Sequence, residues 1–216
     1  MIHNKHEESD GEDLEQEKEE DESQPNVGNL SIPDDLRLIS LYGEISEEKS
    51  SQIVYSMFAY KELKKIIPID DEGHVIEKVE PLSFLISTPG GNSSDMFSIY
   101  DTMRFVKNQM EIHTIGLGKI MSAGVLLLAA GTKGHRRIGR NARVMLHAVS
   151  AGTSGSSHEL QNEIEEIMFT QESYVKALAA ETKMSVSKIK KILNEKKNIY
   201  LNAEEAIQLG ICDDIL

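Results

Sequence analysis

Apolar and polar positions alternate in ways that divide most of the chain into strands and helices. LRLISLYGEI (36–45) has the pattern of a strand ending at Gly43. Beyond it, Ile53, Val54, Met57, Phe58 and Leu63 recur at helical spacing behind Ser46, whose hydroxyl can cap a helix. Residues 66–81 read as a loop or hairpin around Asp71-Glu72-Gly73. PLSFLIST (81–88) is a short apolar strand that runs into the turn PGGN (89–92). An amphipathic helix is predicted over 93–109, a strand over 111–118 ended by Gly118, a buried helix over 124–130 and a strand over 143–149. The glycine-serine segment 150–157 precedes the longest helical pattern, 157–182. Two more helices follow, 185–196 behind Ser185 and 202–210 between the cap Asn202 and the stop Gly210. Strand–helix units followed by helices predict an α/β fold with a largely parallel sheet.

Composition adds a boundary. The net charge is −13, of which residues 1–22 supply −9 through 11 acidic residues and 2 lysines. Such a segment cannot bury enough apolar surface to offset its ordering entropy, so residues 1–31 are expected to be a disordered acidic tail. Its role is either solvation or that of a docking or gating arm. An ordered domain is expected over 32–216, with Pro33 and Asp34-Asp35 at its edge. The acidic balance argues against nucleic acid, since phosphate binding wants a basic face. No run approaches 18 apolar residues, so no membrane span is expected. The first residues lack the apolar core of a signal peptide, and the single cysteine, Cys212, cannot form an intrachain disulfide. A cytoplasmic protein is the expectation.

The candidate chemistry centres on Ser122. It stands between a strand end and a buried helix, where the amides of the first helical turn, Ala123 first, lack intrahelical acceptors. A serine hydroxyl becomes a nucleophile only when a base takes its proton and donors stabilise the oxyanion. The setting resembles the strand–turn–helix logic of a nucleophile elbow without its G-x-S-x-G string. By itself, a serine at a helix start is usually just a cap. His147, in RVMLHAV, reads alone as a satisfied buried or interface histidine. Alone, Gly90-Gly91 is simply a turn. Together they could supply nucleophile, base and a second oxyanion amide.

Several strings, in order, resemble the ClpP family of self-compartmentalising serine peptidases. STPGGN followed by SIYDTMRFVK is similar to its S-P-G-G turn and I-Y-D-T-M helix. KIMSAGVLLLAAG…RVMLHAV is similar to the segment that holds its serine and histidine, here 25 residues apart as in the family. RLISLYGEI and YLNAEEAIQLGICDDIL resemble its early strand and its terminus. The resemblance covers Arg37 to Leu216. It implies a ClpP/crotonase-like spiral of ββα units with a helical handle at about 157–182. It implies Ser122 as nucleophile, His147 as general base, and the amides of Gly91 and Ala123 as the oxyanion hole. It implies a homo-oligomer of heptameric rings stacked in pairs, a tetradecamer with its sites inside. The partners it implies are unfolded protein or peptide substrates and an AAA+ unfoldase of the Clp type. No cofactor and no metal are implied.

The chain departs from the family where the catalytic aspartate should stand, for Asn198 aligns with it, behind Lys197 in place of arginine. An asparagine carbonyl can orient a histidine but supplies no charge to the imidazolium, and Asp→Asn in a serine triad lowers kcat by about 10⁴. Glu195 is the nearest alternative carboxylate, and Asp213 matches a structural terminal aspartate. Other departures are Ile120-Met121 before the serine, Gly139-Arg140 in place of a proline, Ala142 after Asn141, the insertion at 66–81 and the acidic N-terminus. The expected function is a ClpP-like serine endopeptidase with activity reduced by Asn198. The rivals are a weak or inactive structural subunit of a mixed ring and an acyl-CoA enzyme of the crotonase superfamily. No H-E-x-x-H or P-loop string occurs. Cys212 is expected in the core, and Met96, Met103, Met121, Met145 and Met168 are expected to serve packing rather than as ligands.

Overall fold

The computed structural model describes residues 36–68, 75–150, 152, 154–195 and 197–216. The expected tail, 1–31, lies outside them. Strand β1 (Leu38–Tyr42) leads into helix α1 (Glu47–Glu62). Ser46 is the N-cap residue of α1 by position, yet its side chain makes no capping bond. Strands β2 (Lys64–Pro68) and β3 (Val75–Val79) pair antiparallel as a separate two-stranded ribbon, so the 66–81 insertion is a hairpin; its turn lies outside the described residues. Strand β4 (Leu82–Thr88) is buried at every other residue, and helix α2 (Ser93–Val106) follows the Pro-Gly-Gly turn. The Asn92 side chain caps α2 by accepting from the amides of Ser94 and Asp95.

Strand β5 (Ile112–Met121) is longer than expected. Gly118 does not end it; at φ +63° it kinks the chain, and the strand resumes. The consequence is a fork. The first half of β5 pairs parallel with β6 (Arg136–Ile138), and the second half with β7 (Arg143–Leu146). Helix α3 (Ala123–Ala129) packs against β5, β4 and β7 and against helix α2, and is buried along its whole length. Gly124 lets it approach β4, since a Cβ there would lie 2.4 Å from the Thr88 Cγ2.

Helix α4 (Ser157–Glu181) opens on a capping box between Ser156 and Glu159. Helix α5 (Val186–Asn194), strand β8 (Ile199–Leu201), helix α6 (Ala203–Gln208) and strand β9 (Asp214–Ile215) complete the chain. The seven-stranded sheet runs β1-β4-β5-β6-β9, with β7 branching from β5 and carrying β8. Every pairing in it is parallel except β7 with β8. The α/β expectation therefore holds. The pattern missed β6, β8 and β9, of three, three and two residues, because runs that short carry no period.

Leu41, Phe84, Ile86, Ile112, Ile120 and the aliphatic run of α3 form the core. Cys212 is buried, as expected, and burial pushes its thiol up to about 12. Met96, Met103 and Met145 are core residues and Met121 is half-buried, but Met168 is not: it is 66% exposed on α4 beside Phe169. No helix among the described residues is long and apolar enough to cross a membrane.

Candidate active site

Ser122 follows directly on β5 and precedes the first residue of α3. It is the one residue other than glycine with positive φ among the described residues, at φ 54° and ψ −122°. Such a conformation costs about 1–3 kcal/mol and persists only where the surroundings enforce it. Here they do so from both sides. The Ser122 amide donates to the Met145 carbonyl at 2.8 Å, and the Tyr174 hydroxyl donates to the Ser122 carbonyl at 3.1 Å. Tyr174 is buried on α4, and burial raises its pKa, so it stays a proton donor.

Across the sheet, β4 delivers the Pro-Gly-Gly turn to the same place. Thr88 Oγ1 accepts from the Gly90 amide at 3.0 Å and fixes the turn. Gly90, at φ +103°, lies so close that a Cβ on it would stand 2.7 Å from the Ser122 Cβ and 3.1 Å from its Oγ. Gly91 bridges to Ile45: Ile45 donates to the Gly90 carbonyl at 2.8 Å and Asn92 donates to the Ile45 carbonyl at 3.2 Å. In a parallel bridge of this kind the amide of the central residue points away from the partner strand. A Cβ on Gly91 would meet the Ile45 carbonyl oxygen at 2.3 Å, so only glycine fits. The Ala123 amide, at the first position of α3, lacks an intrahelical acceptor.

His147 lies one residue beyond β7, not on it as expected, and is half-buried. Ser122, Ala123, Gly91, His147, Thr170 and Tyr174 line one cavity of ≈ 470 Å³, within the range of ligand sites. Four of the five predicted site residues thus share one cavity. Among the described residues neither the Ser122 hydroxyl nor the His147 ring makes a hydrogen bond. Catalytic hydrogen bonds often tighten only when substrate is bound.

The fifth, Asn198, precedes β8. The β7–β8 pairing ends at Leu146 opposite Ile199, one residue short of both His147 and Asn198. Asn198 is exposed and makes no hydrogen bond to the histidine. The rival carboxylate Glu195 instead pairs with Lys197 at 3.3 Å. Asp213 is far from this chemistry in role: it accepts from the amides of Gly134 and Arg136 and from the Arg136 guanidinium. Sequence reasoning missed Tyr174 and Thr88 as positioning groups, and neither left a local signal; Gly90 it singled out only as half of the glycine pair between strand and helix.

A model of the Clp protease family matches residues 29–216. The chain belongs to the Clp protease family. Members of this family are serine peptidases that in general assemble into barrels and work with Clp ATPases. The mostly parallel sheet and the long helix α4 are consistent with the Clp protease fold.

Proposed function

We propose that this Clp protease family member is a serine endopeptidase subunit that hydrolyses peptide bonds inside an oligomeric barrel. Ser122 attacks the peptide carbonyl and His147 takes the hydroxyl proton, then returns it to the leaving amine. The amides of Gly91 and Ala123 stabilise the oxyanion. Asn198 orients His147 through its carbonyl, without the charge that an aspartate would add. The observation that carries this reading is the strained turn at Ser122, pressed against Gly90 and open to the cavity that His147 also lines. The exposed Ile164, Met168 and Phe169 on α4 support the handle as the place where two heptameric rings meet in a cytoplasmic tetradecamer. Unfolded chains delivered by an AAA+ unfoldase of the Clp type are the substrates.

Hydrolysis of a short fluorogenic peptide by the purified chain tests the assignment. Ser122→Ala is expected to abolish turnover, and Asn198→Asp to raise kcat tenfold or more by supplying the missing charge.

A second reading is favoured by one specific observation: among the described residues His147 makes no hydrogen bond and has no carboxylate within ion-pairing distance, although Glu44 lines the same cavity. In that reading the chain is a weak or inactive structural subunit of a mixed ring. Intact rings that neither turn over peptide nor label at Ser122 with a serine-directed phosphonate would establish it.

A further inference from the structure

Another cluster of reactive side chains lies at the opposite end of β5. Glu111 precedes the strand, His113 is its second residue, and His135 immediately precedes β6. The β5–β6 register pairs Thr114 with Arg136, so one step back brings His113 beside His135. Their rings stack with centroids 4.2 Å apart and planes within 7°. The Glu111 Oε2 lies 2.9 Å from the His113 Nε2 and 4.0 Å from the His135 Nε2. All three ligand atoms fall within 4.8 Å of one another.

We propose that Glu111, His113 and His135 form a binding site for a divalent transition-metal ion of the zinc class. A tetrahedral ion with bonds of about 2.1 Å holds its ligand atoms about 3.4 Å apart. The two separations from Glu111, 2.9 Å and 4.0 Å, bracket that value, and the third lies within 4.8 Å; because an imidazole nitrogen binds a metal in its ring plane, the two stacked rings must also turn out of parallel to share one ion. A His–Glu hydrogen bond alone accounts for His113, whose contact also holds the Glu111 carboxyl below its usual range. It does not account for His135, whose Nε2 faces the same oxygen at 4.0 Å, too far for a hydrogen bond. Two imidazoles and one carboxylate suit zinc, copper or nickel rather than calcium or magnesium, which prefer oxygen.

The frame that carries the ligands is rigid. The Thr132 amide donates to the Ile112 carbonyl at 2.8 Å, and the Ile112 amide donates to the Thr132 Oγ1 at 2.9 Å. The His135 amide donates to the Thr132 carbonyl at 3.0 Å, and the Gly134 amide to Asp213 at 2.7 Å. A site on a strand end and a bonded turn is preorganised in a way that a loop site is not. The side chains of Glu111, His113 and His135 are 53%, 28% and 43% exposed, which admits an ion from solvent and leaves room for a water or a fourth ligand. The cluster sits at the start of β5 and Ser122 beyond its end, nine residue steps of at most about 3.3 Å apart with the kink at Gly118 between, and none of its three residues lines the Ser122 cavity, so the ion takes no part in chemistry there.

The test is calorimetric titration of the untagged full chain with Zn²⁺, alongside the visible spectrum of the Co²⁺-loaded protein. One ion per chain is expected to bind at micromolar concentration or below, with d–d bands of a four- or five-coordinate site. His113→Ala and His135→Ala should each weaken binding at least tenfold and abolish the bands. Glu111→Gln should do the same while leaving both rings in place, with circular dichroism reporting the fold of each variant. A double variant His3→Ala/His6→Ala should bind as the parent does. Absence of micromolar binding overturns the proposal, as does binding that survives in both His113→Ala and His135→Ala.

Discussion

The two polar centres attached to β5 and its neighbours are built on opposite rules. Behind β6, Glu181 is buried and every charge near it is answered. It bonds Arg104 at 3.0 Å, Lys133 at 3.2 Å and Tyr100 at 3.2 Å, with Lys107 at 3.9 Å. Arg136, also buried, donates to Asp213 and to the carbonyls of Ala129, Glu181 and Gly210. Around Ser122 the backbone is equally well tied, but the serine hydroxyl, the histidine ring and Asn198 make no hydrogen bond among the described residues. Polar groups that hold a fold together are saturated, because a buried unpaired charge is costly. Groups that must accept a substrate are held by their backbones and left open at their tips.

The contrast breaks most visibly at Glu181. Glu181→Gln removes the charge that faces Arg104, Lys107 and Lys133; since Arg104 and Lys133 are half exposed and regain water, the loss is about 3 kcal/mol, the low end for a buried pair. Denaturant unfolding should show that loss, while the folded fraction still reacts with a serine-directed phosphonate. An unfolding free energy within about 1 kcal/mol of the parent would mean that the knot is ornamental.

Acid probes the same knot with a smaller effect. Burial pushes Glu181 and Asp213 up, but their cationic and hydrogen-bonding partners outweigh it and hold both carboxyls below their usual values. A depressed folded pKa gives stability that is present above the unfolded value, near 4, and lost as pH falls through the folded one. Unfolding midpoints should therefore fall steeply below about pH 4. In Glu181→Gln the fall should be shallower, since one of the two groups no longer titrates.

Gly90→Ala attacks the other centre. The new Cβ would press on Ser122 at 2.7 Å, in a backbone conformation that alanine rarely adopts. Strain and overpacking together cost about 2–3 kcal/mol. Peptide turnover and phosphonate labelling should both drop by about a hundredfold in the folded protein. Unchanged labelling would mean that Ser122 does not depend on the turn.

What the sequence made legible follows the same division. The long elements were visible because apolar residues recur with a period, and the caps Ser185 and Asn202 close their helices as expected. The cavity's Ser122, His147, Gly91 and Ala123 were visible through motif strings and a spacing. The fork at Gly118 was not, because a glycine in a strand reads as a stop when tertiary pairing on its far side is unknown. Nor was the Glu181 knot: its partners lie 77 and 48 residues away in the chain, and nothing local marks them. The cluster at Glu111 escaped for the same reason, since His135 joins Glu111 and His113 only through the β5–β6 register.

The smallest effect is the most discriminating. If the fold forces Ser122 into its positive φ, a glycine there should relieve the strain, and an alanine should not. The strain is about 1–3 kcal/mol. Glycine also frees the unfolded chain, which costs about 0.5–1 kcal/mol. The difference leaves Ser122→Gly more stable than Ser122→Ala by about 1 kcal/mol, or about 2–4 °C in Tm for a domain of this size. Both variants lack the hydroxyl, so loss of the hydroxyl cancels between them and only the backbone is compared. Equal stability would place the turn in an unstrained conformation and remove the observation on which the nucleophile assignment most depends. A stabilised glycine variant would show that the fold holds this one serine against its own preference, in a cavity with a histidine at its wall.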